Sequence, residues 1–176
     1  KLERGTDFIL LDAAPGLGKE ALFVMDASTE VMFVTQPHIP MVADVIRCKE
    51  ILKQFGEKKM AVLLNMVTYG THELKKDVVE EVTGLPVLGE IPHDNNITQS
   101  LVMRYPLLEY KPNSLSSINF MRIASLLAEK DYEIPMKVKW HKLFTTVRNV
   151  LMPNNIRMSD KAEDIIVATM EDLKQA

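Results

Sequence analysis

Four short apolar runs, Phe8 to Asp12, Val31 to Thr35, Met60 to Asn65 and Pro86 to Ile91, constrain the fold of this chain more than any other feature. Each is rich in Val, Ile, Leu or Phe without the alternation of a half-solvated strand, as expected of parallel strands covered on both faces. Helical periods lie between them. Pro40 opens one, in which Met41, Val42, Val45, Ile46, Ile51 and Leu52 recur at three-to-four spacing until Gly56 closes it. A second runs from Thr71 to Val82 and stops at Gly84, and a third runs from Ser114 to Glu129 with Leu115, Ile118, Ile123, Leu126 and Leu127 as its stripe. Strand, helix, strand in this rhythm predicts crossover connections and an α/β fold, a mostly parallel sheet flanked by helices. With 176 residues, 47% of them apolar, the chain can bury a full core. The composition changes at Asp131 to Pro135, which divides it into residues 1–130, the α/β part, and 131–176, a helical tail.

Charge and cysteine content narrow the chemistry. A net charge of -3 and a pI of about 5.8 argue against sequence-independent nucleic-acid binding, which needs clustered Lys and Arg. The single Cys48 excludes an internal disulfide, a four-thiolate zinc site and a cluster-carrying cysteine pair, which suits a reducing cytoplasm. On an amphipathic helix it reads as a small buried hydrophobe. His38, His72, His93 and His141 show no ligand spacing and read as isolated surface or loop histidines. No apolar run reaches the roughly 18 residues of a membrane-spanning helix.

In open α/β sheets ligands sit at the carboxyl ends of the strands, so the residues just past each run carry the functional information. Asp12 and Pro15-Gly16 follow the first, Gln36-Pro37 the second, Asn65 ends the third and Pro92-His93-Asp94 the fourth. An apolar strand that ends in a carboxylate and a Pro-Gly turn suits a magnesium ion held beside a terminal phosphate. Taken together, ILLDAAPGLGKEA, VMFVTQPHIPMVAD, AVLLNMV and GLPVLGEIPHD, in this order and spacing, resemble the MinD/ParA family of P-loop ATPases over roughly residues 1 to 129. The match is nearest to the MinD branch, the septum-positioning ATPases.

That resemblance implies an ATP site and assigns its parts. Asp12 matches the carboxylate that holds a magnesium-bound water, and Gly16 the switch residue whose backbone N–H faces the γ-phosphate. Asn65 matches the reader of the adenine ring, and Pro92 and Asp94 the loop that closes over the base and its sugar. Asp44 matches an acidic position near the dimer interface, although a first-turn carboxylate favoured by the helix dipole is an equal reading. The lysine-bearing phosphate loop and the central strand before it have no counterpart here. Pro15 to Glu20 has the wrong residues for one, with Ala13 where Gly is needed and Glu20 where Ser or Thr is needed. The expectation is therefore an N-terminally truncated P-loop NTPase-like chain, the C-terminal part of a MinD-like ATPase and inactive alone. The resemblance further implies ATP and Mg as cofactors, an ATP-dependent homodimer, an activating protein partner, and a cytoplasmic protein at the inner face of the cell membrane. The alternatives are a non-catalytic protein- or membrane-docking module of the same fold, or a ParA-like DNA-partitioning ATPase, which the acidic balance disfavours. The missing central strand would leave the runs at Phe8 and Val31 with unpaired edges.

The tail carries its own pattern. From Ile134 to Ser159 there is no acidic residue, while Lys137, Lys139, Lys142, Arg148 and Arg157 supply positive charge. On a helix Met136, Trp140, Leu143, Phe144, Val147 and Leu151 share one face, flanked by Lys139 on one side and by Lys137 and Arg148 on the other. Two readings fit: a helix lying in an anionic headgroup layer through Trp140, Phe144, Lys139 and Arg148, or one packed on the sheet or a partner. On the membrane reading, Trp140→Glu abolishes co-sedimentation with anionic liposomes, and unchanged binding of that variant rejects it.

Overall fold

The Met60 to Asn65 run becomes the middle strand of a parallel sheet in the computed structural model, which describes residues 5–132. These residues fall in a unit spanning Lys1–Glu133, and the unit Ile134–Ala176, with Trp140, Phe144, Lys139 and Arg148, lies outside the described part. In chain order the elements are α1 (Lys19–Ala27), β1 (Glu30–Thr35), α2 (Ile39–Leu52), β2 (Lys59–Val67), α3 (Lys76–Thr83), β3 (Val87–Pro92), α4 (Asn95–Met103), α5 (Leu107–Tyr110) and α6 (Leu115–Leu127). The sheet order is β1-β2-β3, with all neighbours parallel. β1 runs in unbroken register against β2, from Glu30 opposite Lys59 to Thr35 opposite Leu64. β3 pairs Val62 with Val87 and Val67 with Pro92, with irregularities after Val62 and between Leu64 and Val67.

β2 reads as a continuous apolar run because it is covered on both sides. Val62, Leu64 and Val67 join Phe33 of β1, Val42, Val45, Cys48 and Leu52 of α2, Val79 of α3, and Leu85 and Val87 in one core cluster. Leu63 points the other way and packs with Ile91 of β3 and Ile123 of α6. Gly89 of β3 lets α6 approach closely, since a Cβ there would stand 3.0 Å from Ile123 Cγ1. Cys48 is buried as a small hydrophobe; burial, with the charge of Asp44 added, pushes its thiol up.

Local signals place most helix ends. Pro40 sits in the first turn of α2, where its missing N–H costs nothing. Beyond Leu52 the chain tightens into a 3-10 turn, Lys53–Phe55, and leaves it at Gly56 with φ of 97°. Gly84 ends α3 in the left-handed conformation, φ 61°, and donates its N–H to Glu80 O. Ser114 caps α6 by accepting from Ser117 N.

Two sequence expectations shift. The predicted helix from Thr71 begins only at Lys76, because the preceding backbone is engaged elsewhere. Leu74 N–H donates to Pro37 O at 2.8 Å, and the Glu73 carboxylate turns back to accept from Thr68 N–H. The run from Phe8 to Asp12 forms no strand among the described residues; Phe8, Ile9, Leu10 and Leu11 are all exposed, Leu10 at 86%. A strand exists only by pairing, and β1 offers hydrogen bonds to β2 alone, so that its outer edge is open among the described residues. The helices α1, α4 and α5 were not legible in the apolar spacing.

Two substitutions test this layering by urea unfolding. Leu64→Ala, at a fully buried position between sheet and helices, is expected to cost roughly 2–5 kcal/mol. Val34→Thr, on the uncovered face of β1, is expected to change stability by no more than about 0.5 kcal/mol.

Candidate functional site

The carboxyl ends of the three strands bring three of the predicted site residues onto one lip. Asn65 lies near the end of β2, Pro92 ends β3, and Asp94 is two residues further on. Val67 pairs with Pro92 in the ladder, and His93 N–H donates to Val67 O at 2.9 Å, tying the two strand ends together. β1 joins the same lip, since Gln36 Nε2 reaches Met66 Sδ at 3.4 Å.

The backbone is irregular where these groups meet. Between Leu64 and Val67 the pairing with β3 is interrupted, and Met66 has φ of 57°, a left-handed conformation unfavourable for a side chain of this size. Tyr69, just beyond β2, has φ of 58°. Asn65 helps to hold this turn, since its Oδ1 accepts from Met66 N–H at 2.9 Å. The amide nitrogen brings two further donors, the complement of a ring-nitrogen or carbonyl acceptor.

Asp94 is the N-cap of α4, accepting from Asn96 N–H at 2.8 Å and from Asn96 Nδ2 at 2.6 Å. Burial pushes its carboxyl up, but the Asn96 backbone and side chain and the hydroxyls of Ser114 and Ser116 outweigh it and hold the group below its ordinary value. Ser116 Oγ donates to Pro92 O at 3.1 Å, which ties the start of α6 to the β3 turn. The resemblance assigned Asp94 to a loop over the base, and here the residue also holds a helix end.

Asp12 and Gly16 lie in the irregular segment before α1, with Asp12 exposed and Gly16 at φ of 83°. Leu17 and Met25 pack this region against the core around α2, and Ala21 of α1 is fully buried. Among the described residues no hydrogen bond joins Asp12 or Gly16 to Asn65, Pro92 or Asp94. Asp44 projects from α2 and pairs with Arg47 at 2.7 Å, both side chains well exposed, so the pair adds little to stability.

The histidines correct an expectation. His38 and His72 are not isolated: their rings stack with centroids 5.6 Å apart and planes inclined by 13°. His38 follows β1 and His72 follows β2, so a clue lay in their common position just past adjacent strands, not in their spacing along the chain.

The Asp94 cap gives a pH test. Its carboxyl lies lower in the folded chain than its ordinary 3.8, so the stability it contributes is complete above the unfolded value and is lost as pH falls through the folded one. Asp94→Ala should lower stability by about 1 kcal/mol at neutral pH. The gap should close as the urea midpoints of both proteins are followed into acid; one that stays constant would show that the charge plays no part.

Residues 4–128 match the ParA family, described as NUBPL iron-transfer P-loop NTPase. An uncharacterised ATP-binding protein of Methanocaldococcus jannaschii is 29% identical over 133 residues, 76% of this chain and 51% of that protein. The cell division ATPase MinD of Pyrococcus furiosus superposes with a TM-score of 0.67 at 28% identity, over 73% of this chain and 54% of that one. The septum site-determining protein MinD of Pyrococcus horikoshii, solved with Mg-ADP, gives 0.66 at 28% identity, over 72% and 52%. The chain thus spans about half the length of the relatives it matches. By its match over residues 4–128 and its parallel α/β layering, the chain belongs to the MinD/ParA family of P-loop NTPases.

Proposed function

We propose that the chain is the C-terminal part of a MinD-like ATPase, whose complete form binds ATP with Mg and hydrolyses it as a nucleotide-dependent dimer in the spatial positioning of cell division. The observation that carries this reading is the gathering of Asn65, Pro92 and Asp94 at the carboxyl ends of adjacent parallel strands, where open α/β sheets hold their ligands. In this reading Asn65 meets the adenine edge through its amide, and Pro92 with Asp94 closes over the base and sugar. Gly16, without a side chain, leaves its backbone N–H open to the terminal phosphate. Asp12 is an exposed carboxylate with no protein partner among the described residues, a hard oxygen suited to a magnesium-bound water. Bound magnesium would supply charge neutralisation at the phosphates. The phosphate-binding lysine comes from residues outside these 176.

The rest of the proposal is drawn by analogy with the family. Asp44, exposed on α2, sits at the face where two copies meet, an activating protein partner accelerates a slow hydrolysis, and the protein works in the cytoplasm, at the inner face of the cell membrane where the basic tail docks. Residues 1–130 and 131–176 act as the ATPase portion and the docking tail. Among the described residues no helix is long and apolar enough to cross a membrane. A second reading, a non-catalytic docking module of the same fold, draws on the edge of β1 that is open among the described residues and on the exposed run Phe8 to Leu11.

Calorimetry and turnover separate the two. The 176-residue chain alone should give no binding heat with micromolar ATP, and micromolar affinity would refute the dependence on an outside phosphate loop. In a longer form carrying that loop, Asp12→Asn should lower ATP turnover at least ~10-fold. An unaltered rate in that variant removes Asp12 from the site, and a longer form that neither binds nor hydrolyses ATP establishes the docking module instead.

A further inference from the structure

We propose that His38, His72 and Glu73 form a binding site for a divalent transition-metal ion that ties the loop after β1 to the loop after β2. The inference is independent of the nucleotide reading. One potential ligand atom from each of the three residues lies within 4.8 Å of the other two. The two loops meet by their own bonds, since Leu74 N–H, next to Glu73, donates to Pro37 O, next to His38, at 2.8 Å. The convergence therefore does not depend on an ion.

Glu73 is held as an oriented anion. Thr68 N–H donates to both carboxylate oxygens, at 2.9 and 3.0 Å, and Thr68 Oγ1 donates to Oε1 at 2.7 Å. Burial pushes the Glu73 carboxyl up, but the bonds from Thr68, Tyr69 and Gly70 prevail and keep it below its ordinary value. A carboxylate has about four acceptor positions, and a metal ion at Oε2 would take the place of one of these donors. Outer hydrogen bonds of this kind fix ligand carboxylates in metal sites.

The histidines are placed without being used. Neither ring shares a hydrogen bond or ion pair with Glu73 among the described residues, although both lie beside it. The His72 ring lies against Gly70, where a Cβ would stand 2.5 Å from His72 Cε1 and 2.8 Å from Nδ1 and would turn the exposed ring aside. His38 precedes α2 without a side-chain cap bond, which leaves its ring nitrogens to other partners. The rings stack nearly parallel, whereas an ion at about 2.0–2.1 Å from each nitrogen needs their lone pairs to converge. The exposed His72 can supply that convergence by rotating its ring.

Two imidazoles and a carboxylate select the ion by class. Imidazole nitrogen suits zinc, nickel and copper, whereas magnesium and calcium prefer shells made of oxygen. The site is therefore chemically distinct from a magnesium site at Asp12. Three protein ligands also leave a zinc ion one open coordination position, for water or an outside donor.

The test is zinc titration of the untagged 176-residue chain at neutral pH, in competition with a chromophoric chelator. One equivalent of zinc bound at micromolar or tighter affinity is expected, insensitive to excess magnesium. His38→Ala and His72→Ala should each weaken it at least ~10-fold. Cobalt should give the visible bands of a nitrogen-ligated ion, lost in both histidine variants. No binding by the parent chain, or equal affinity in folded His38→Ala and His72→Ala variants judged by circular dichroism, overturns the proposal.

Discussion

The burial of β2 on both faces is the constraint on which the described fold depends. Val62, Leu64 and Val67 are packed under α2 and α3 while Leu63 lies under α6, so the strand has no solvated face to spare. A shift of one residue would exchange these two sets and place Leu63 against a surface shaped for Leu64. The register of β1 and β3 is thereby set, and so is the position of every loop at the carboxyl end of the sheet. The irregularity after Leu64 is confined to the end of the strand, where Asn65 and the left-handed Met66 turn away from the ladder. Unfavourable backbone angles tend to persist where the surrounding packing over-determines them, and functional lips are frequent locations.

The sheet is asymmetric. Its β3 side is braced by α6 and by the serines at positions 114 and 116, which bind the β3 turn and Asp94. Its β1 side ends on an open edge among the described residues, with Val34 more than half exposed and Phe8 to Leu11 unpaired. Exposed backbone donors and acceptors on an edge favour completion by another strand. The residues of the proposed nucleotide pocket thus differ in how firmly they are held. Asn65, Pro92 and Asp94 rest on paired backbone, whereas Asp12 and Gly16 rest on a segment anchored through Leu17, Met25 and the buried Ala21.

Much of this architecture was legible in the chain itself. The runs at Val31, Met60 and Pro86 match β1, β2 and β3 within two residues at each end, and Gly84 and Ser114 stand where helices end and begin. The expectation for Thr71 to Lys75 failed because apolar spacing takes no account of a competing partner: Pro37 O and Thr68 N–H had already engaged that loop. Phe8 to Asp12 has strand composition, but composition supplies no neighbour to pair with. Of the site, the residues past the strands could be named from their order, and the family resemblance gave them roles. The pairing of His38 with His72 could not be named, because their separation along the chain matches no ligand spacing.

By itself the sequence determined what is periodic or local: strand and helix alternation, two-sided burial of the central strand, glycine and serine at helix ends, and family membership. These follow from side-chain patterning and backbone preference, which act over a few residues. Only the tertiary structure decided which distant groups meet. It set Asp94 among Asn96, Ser114 and Ser116, brought the rings of His38 and His72 beside Glu73, and left one edge of β1 open among the described residues. The reason is that such contacts depend on strand register and loop path, and those are settled by the packing of the whole core.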